Sequence, residues 1–143
     1  MTEMKRILFV AACAAFSCAF LFRPPVLRAQ DAAGVPRILS PAEAREMIGN
    51  RAGDPAFVLL DVRTPGEFRA ERIEGAVQID YLAPSFRVEI AKLDRGKSYL
   101  VYCRTGHRSG GAVKMMRDLG FTDVSDLAGG ITKWKEAGLP TTR

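Results

Sequence analysis

The chain has 143 residues, 48% of them hydrophobic and 26% charged; that is enough apolar side chain for the core of one domain and excludes a disordered polyelectrolyte. Its formal charge of +5 invites a nucleic-acid reading, but Lys5, Arg6, Arg23 and Arg28 all fall within the first 29 positions, opposed there only by Glu3. Without those positions the charge is +2, and no excess of basic residues remains to argue for a polyanionic partner.

Residues 1–29 read as a targeting segment. Lys5 and Arg6 precede an uncharged apolar run from Ile7 to Phe22, Arg23-Pro24-Pro25 breaks the run, and Leu27-Arg28-Ala29 ends on a small residue. These are the three parts of a secretory signal, although Leu27 is bulkier than a cleavage site prefers. The rival reading is an uncleaved membrane anchor, but the run falls short of the roughly 20 residues that span a bilayer. A lipoprotein reading through Val10-Ala11-Ala12-Cys13 leaves too short an apolar stretch before the cysteine. The expectation is a periplasmic or secreted protein, membrane-anchored in the alternative, with no stable membrane insertion after processing. Cleavage also removes Cys13 and Cys18 and leaves Cys103 as the only cysteine, so no internal disulfide framework is expected. Residues 30–36 form a small-residue linker, and residues 37–143 the domain.

Ile38-Leu39 reads as a short strand. Ser40-Pro41-Ala42-Glu43 has the pattern of a capping box, with Ser40 as N-cap, Pro41 at the first helical position and Glu43 at the third. Its helix runs to about Ile48, and Gly49-Asn50 is a plausible stop. Phe57 to Val62 reads as a continuous apolar run with an acid, Asp61, at its end, as expected of a strand covered on both faces. Thr64-Pro65-Gly66-Glu67 repeats the capping pattern. Gly75 to Ile79 reads as a second buried strand, and Ser85 as the cap of a helix carrying Phe86, Ile90 and Leu93.

Tyr99 to Tyr102 reads as a further buried strand that delivers Cys103 to a loop, Arg104-Thr105-Gly106-His107-Arg108. A helix follows from Gly110 to Leu119, with Ser109 as its N-cap, Gly110-Gly111 permitting close approach and Gly120 at its end. Val124 to Leu127 is a short strand, Ala128-Gly129-Gly130 a tight loop, and Ile131 to Ala137 a final helix. Strands and helices alternate throughout, which predicts a three-layer α/β/α domain with a mostly parallel, five-stranded sheet. In such sheets ligands sit at the carboxyl ends of the strands, which is where Cys103 lies.

A thiol at a strand end, followed by a short loop with two arginines and then a helix start, is the arrangement that builds an anion pocket around a thiolate. Converging loop N–H groups and the helix N-terminus both favour negative charge and lower the thiol pKa. With a single histidine and a single cysteine in the domain, no metal site can be completed, and neither a P-loop nor a dinucleotide-binding glycine pattern is present. His107 reads as a solvated or pocket-edge side chain. Asp61 and Arg63 are read as supports, with Arg63 paired to Glu67 and Asp61 bracing neighbouring loops. Tyr81 and Phe86 line either the pocket or the core.

From residue 36 to 141 the chain resembles a single-domain rhodanese. Leu59-Leu60-Asp61-Val62-Arg63 with Glu67-Phe68, then Cys103 to Ser109, then Leu127-Ala128-Gly129-Gly130-Ile131 with Trp134 and Gly138 carry the resemblance, in that order and spacing. Arg72 departs from it, because the family commonly has histidine there. The resemblance implies a thiosulfate-type sulfurtransferase without a cofactor, passing a sulfane sulfur through a Cys103 persulfide from an anionic donor to a thiophilic acceptor. It makes Cys103 the nucleophile, with Arg104, Thr105, Gly106, His107, Arg108 and Ser109 around the donor. Two alternatives stay open: a rhodanese-fold carrier or interaction module without turnover, and a phosphatase or arsenate reductase built on a related loop. The latter needs an arginine six positions after the cysteine; that position is Ser109, and Arg108 comes one residue early.

Overall fold

The computed structural model describes residues 36–143. The readings of residues 1–29 as a targeting segment and of most of 30–36 as a linker fall outside the described residues, and among those described no helix is long and apolar enough to cross a membrane. Five strands and five helices alternate: β1 (Arg37–Leu39), α1 (Pro41–Asn50), β2 (Phe57–Asp61), α2 (Pro65–Ala70), β3 (Val77–Gln78), α3 (Phe86–Ala91), β4 (Ser98–Tyr102), α4 (His107–Asp118), β5 (Val124–Leu127) and α5 (Gly130–Glu136). The strands form one parallel sheet in the order β1-β5-β4-β2-β3, so the α/β reading of the sequence holds.

The sheet is covered on both faces because its central strands alternate apolar side chains between two cores. Leu60, Tyr99, Val101 and Val124 pack with Phe86 and Ile90 of α3 and with Ala112, Val113 and Met116 of α4. On the opposite face Leu59, Leu100, Tyr102 and Leu127 pack with Ala44 of α1 and with Ile131 and Trp134 of α5. The period-two alternation of a strand divides each apolar run between the two layers. Every residue of β4 is buried and the strand is paired on both sides, to β2 and β5, which makes it a firm mount for Cys103 at its end.

Both capping boxes form as read. The Ser40 hydroxyl accepts from the Glu43 N–H and the Glu43 carboxylate accepts from the Ser40 N–H; Thr64 and Glu67 repeat the exchange at α2. Three local readings need correction. The stretch from Gly75 to Ile79 is no buried strand: β3 has two residues, and Val77 is half exposed at the sheet edge. Ser85 has helical backbone angles and makes no side-chain cap. Helix α4 begins at His107, three residues earlier than expected, and its N-cap is Gly106 rather than Ser109. Arg72, the departure from the family pattern, is a structural clip. Its N–H donates to the Thr142 carbonyl at 2.8 Å, its own carbonyl accepts from the Thr142 N–H at 2.8 Å, and its guanidinium lies over the Phe68 ring.

Candidate active site

Cys103 follows β4 directly, and only Arg104, Thr105 and Gly106 separate it from α4. The chain reverses within three residues because Gly106 takes φ +103, a left-handed conformation that costs a residue with a Cβ about 1–2 kcal/mol. The reversal aims backbone donors at the sulfur, with the Gly106 N–H donating to Cys103 Sγ at 3.1 Å. Burial pushes the thiol pKa up. The Ser109 hydroxyl and the N–H groups of Ser109, Gly106 and Thr105 more than offset that, and hold it below the ordinary thiol value. A 12-residue helix starting at this point adds the positive end of its dipole. Cys103 is 1% exposed, while Arg104, Thr105 and His107 are exposed around it. Ser109 is buried inside the first turn, its hydroxyl oxygen 3.2 Å from the Gly106 carbonyl oxygen, and when its one proton turns to the sulfur it favours the thiolate.

The loop is held from behind by α5. The Ile131 N–H donates to the Cys103 carbonyl at 2.9 Å and the Thr132 N–H to the Arg104 carbonyl at 3.1 Å. The first N–H groups of a helix have no partner within it, and here the two carbonyls of the thiol loop satisfy two of them. Gly129 and Gly130 both have positive φ, and that turn brings the helix end up to the loop. A groove of about 450 Å³ opens between α2 and α5, lined by Glu67, Glu71, Arg104, Thr132 and Lys135 among others.

The charged supports are paired differently from the reading of the sequence. Arg63 does not pair with Glu67. It folds back on Asp61, its Nε donating to both carboxylate oxygens at 3.0 Å, and its terminal nitrogen donates to the Glu71 carbonyl at 2.7 Å. The two residues are separated by one position, and their burial (Asp61 0% exposed, Arg63 4%) leaves no better partner for either. Glu67 instead takes Arg108, whose two terminal nitrogens donate to its two oxygens at 2.9 Å each. That guanidinium, with the N–H and hydroxyl of Thr64, holds the Glu67 carboxyl down to about 2. Arg104 has no ion pair among the described residues. Gly111, and not Gly110, is the point of close approach: a Cβ there would run into the Tyr81 hydroxyl. Phe86 is a core residue, packed edge-on against Tyr81.

Truncating Arg63 tests this frame. An uncompensated buried carboxylate costs about 3–5 kcal/mol, so Arg63→Ala should lower unfolding stability by that amount in urea melts at pH 7. A loss below about 1 kcal/mol would mean that water reaches Asp61.

One site residue escaped the reading of the sequence. Asp126, on β5 beside β4, is 8% exposed, and its Oδ1 has no hydrogen-bond partner among the described residues. Burial raises its pKa to about 6, only partly offset by the Leu127 N–H. The one sequence signal was its place, a carboxylate at the carboxyl end of the strand neighbouring the thiol. Because its folded pKa lies above the unfolded value, the folded state binds more protons between about pH 4 and 6, and stability falls as pH rises through that window. Asp126→Asn should therefore stabilise the protein by on the order of 1–2 kcal/mol at pH 8 and by less at pH 4.5. Equal effects at both pH values in thermal melts would refute the buried-acid assignment.

Comparison with known proteins agrees with this geometry. The rhodanese-like domain family model matches residues 40–137. An uncharacterised protein of Synechocystis is 39% identical over 90 residues, which cover 62% of this chain and 48% of that protein. A protein of Allochromatium vinosum named sulfurtransferase is 34% identical over 97 residues, covering 66% of this chain and 88% of its own length. Among solved structures, a rhodanese-related protein from Thermoplasma volcanium superposes with a TM-score of 0.64 at 33% identity, over 74% of this chain and 97% of its own. The chain thus spans about half of the Synechocystis relative and most of the other two. With the sheet order, the thiol loop and the Gly129-Gly130 turn all in place, the chain belongs to the rhodanese-like domain family, whose relatives include named sulfurtransferases.

Proposed function

We propose that the protein is a sulfurtransferase that moves a sulfane sulfur from thiosulfate or a similar donor to a thiophilic acceptor through a persulfide on Cys103. The Cys103 thiolate attacks the outer sulfur of the donor. A new S–S bond forms, the S–S bond of the donor breaks, and sulfite departs with the electron pair. The acceptor, cyanide or a thiol, then attacks the outer sulfur of the persulfide and releases the thiolate. The cycle is redox-neutral and needs neither cofactor nor metal; it is covalent catalysis by double displacement. Gly106 and the Thr105 and Ser109 amides cradle the negative outer sulfur, Arg104 and His107 flank the entrance, and Asp61, Arg63 and Glu67 hold the loops in place. The domain occupies residues 37–143, and residues 1–29 act as an export signal that places it in the periplasm or outside the cell.

The observation that carries this reading is the set of backbone donors turned onto Sγ, led by the Gly106 N–H at 3.1 Å. Among the described residues the sulfur is met by backbone and hydroxyl donors rather than by a general base, as suits a nucleophile whose pKa is already lowered. Phosphatase or arsenate reductase chemistry is disfavoured because three residues separate Cys103 from α4 and both terminal nitrogens of Arg108 are taken by Glu67. The test is thiocyanate formation from thiosulfate and cyanide. Repeated turnover per chain supports the enzyme; one sulfur loaded and none delivered indicates the carrier. Cys103-dependent hydrolysis of an aryl phosphate would overturn the reading.

A further inference from the structure

The arginine placed by the sequence to draw in the donor is already engaged. Arg108 spends both terminal nitrogens on Glu67, and Glu67 is itself fixed from the other side by the Thr64 N–H at 3.1 Å and the Thr64 hydroxyl at 3.0 Å. The pair is partly open, with side-chain exposures of 18% for Arg108 and 29% for Glu67; Glu67 lines the same groove as Arg104, and the charge of Cys103 acts on the Arg108 guanidinium. Arg63 is bound to Asp61 and Lys135 to Glu71. Among the described residues, Arg104 is the one guanidinium beside Cys103 without an anionic partner. A bidentate guanidinium–carboxylate pair leaves little field for a third ion. Thiosulfate carries two negative charges and must approach a thiolate that carries one.

We propose that Glu67 is a specificity residue: by occupying Arg108 it leaves the entrance a single open cation, Arg104, and so favours singly charged organic sulfane donors, thiosulfonates or organic persulfides, over dianionic thiosulfate. This rests on the persulfide reading above. The step is the same with either donor. The thiolate attacks the terminal sulfur, the S–S bond of the donor breaks, and the electron pair leaves on a sulfinate or a thiolate instead of on sulfite, with no oxidant or reductant consumed. One cation matches one anionic head group, and the second charge of thiosulfate has no partner.

The test compares kcat/KM for thiosulfate and for methanethiosulfonate in the cyanide assay, each divided by the rate of that donor with a small free thiolate. The wild-type protein should prefer methanethiosulfonate by about tenfold, equivalent to 1.4 kcal/mol. Glu67→Gln frees Arg108 while keeping a residue that can complete the Thr64 capping box, and should bring the ratio to about 1. The neutral pair Glu67→Gln with Arg108→Gln should restore the wild-type ratio within about twofold, and it decides the matter if the single variant fails to fold. A wild-type preference for thiosulfate, an unchanged ratio in Glu67→Gln, or a further tenfold fall in the double variant would each overturn the proposal. If neither donor puts sulfur on Cys103, the sulfurtransferase reading itself fails; if both load it with unaltered ratio, only the role of Glu67 does.

Discussion

Replacing Cys103 by serine is expected to lower thiosulfate-dependent thiocyanate formation at least about 10³-fold. A hydroxyl cannot form the S–S bond on which the first displacement depends, and at neutral pH it is scarcely ionised, whereas the thiol is held below its ordinary pKa by the Ser109 hydroxyl and the surrounding amides. The backbone donors do not depend on the side chain they serve, so the empty cradle persists in the variant. Cys103 is buried, and a small polar group in its place costs about 1 kcal/mol. For a domain of this size that is a fall in Tm of roughly 4–8 °C, far too little to account for the lost activity. A residual rate above a tenth of wild type, with normal folding, would show that sulfur moves without this thiol.

The second large effect is placed outside the loop that holds the thiol. Gly130→Ala should cost about 3–5 kcal/mol, because its φ of +59 disfavours any side chain and its Cβ would strike the Cys103 carbonyl oxygen and approach the Arg104 oxygen at 2.6 Å. These are the carbonyls that receive the Ile131 and Thr132 N–H groups. A peptide unit is planar, so displacing the Arg104 carbonyl also turns the Thr105 N–H away from the sulfur. Alkylation of Cys103 by iodoacetamide at pH 7 should slow by about tenfold in any folded fraction, in step with the loss of thiolate character. Gly110→Ala is the control. Its Cβ would meet only Asp126 Oδ2 at an ordinary 3.8 Å, and a mid-helix glycine replaced by alanine gains about 0.5–1 kcal/mol. Equal damage from both substitutions would mean that α5 does not brace the loop.

What could be read beforehand was local. Ser40 with Glu43 and Thr64 with Glu67 declare their caps within four residues, and the apolar runs that became β2 and β4 need no partner to be recognised. The glycine at 106 agrees with its local demand, since a chain that turns from strand to helix so quickly needs a positive φ. Long-range pairing was not legible. Glu67 and Arg108 are 41 positions apart, and nothing near Arg63 in the chain distinguishes Glu67 from Asp61 as its partner; only burial of the strand end decides. Asp126 resembled an ordinary strand-end acid until the sheet order put β5 beside β4. The start of α4 was misjudged because Ser109 is a good N-cap residue, and the tertiary demand to aim amides at the sulfur outweighed that preference.

The most direct measurement is the intact mass of the purified protein after incubation with thiosulfate and removal of small molecules. The mass should rise by one sulfur atom per chain, return to its starting value on adding cyanide with one equivalent of thiocyanate released, and not change at all in Cys103→Ser. An unchanged mass in the wild-type protein, or a gain that survives in Cys103→Ser, would contradict a persulfide on Cys103.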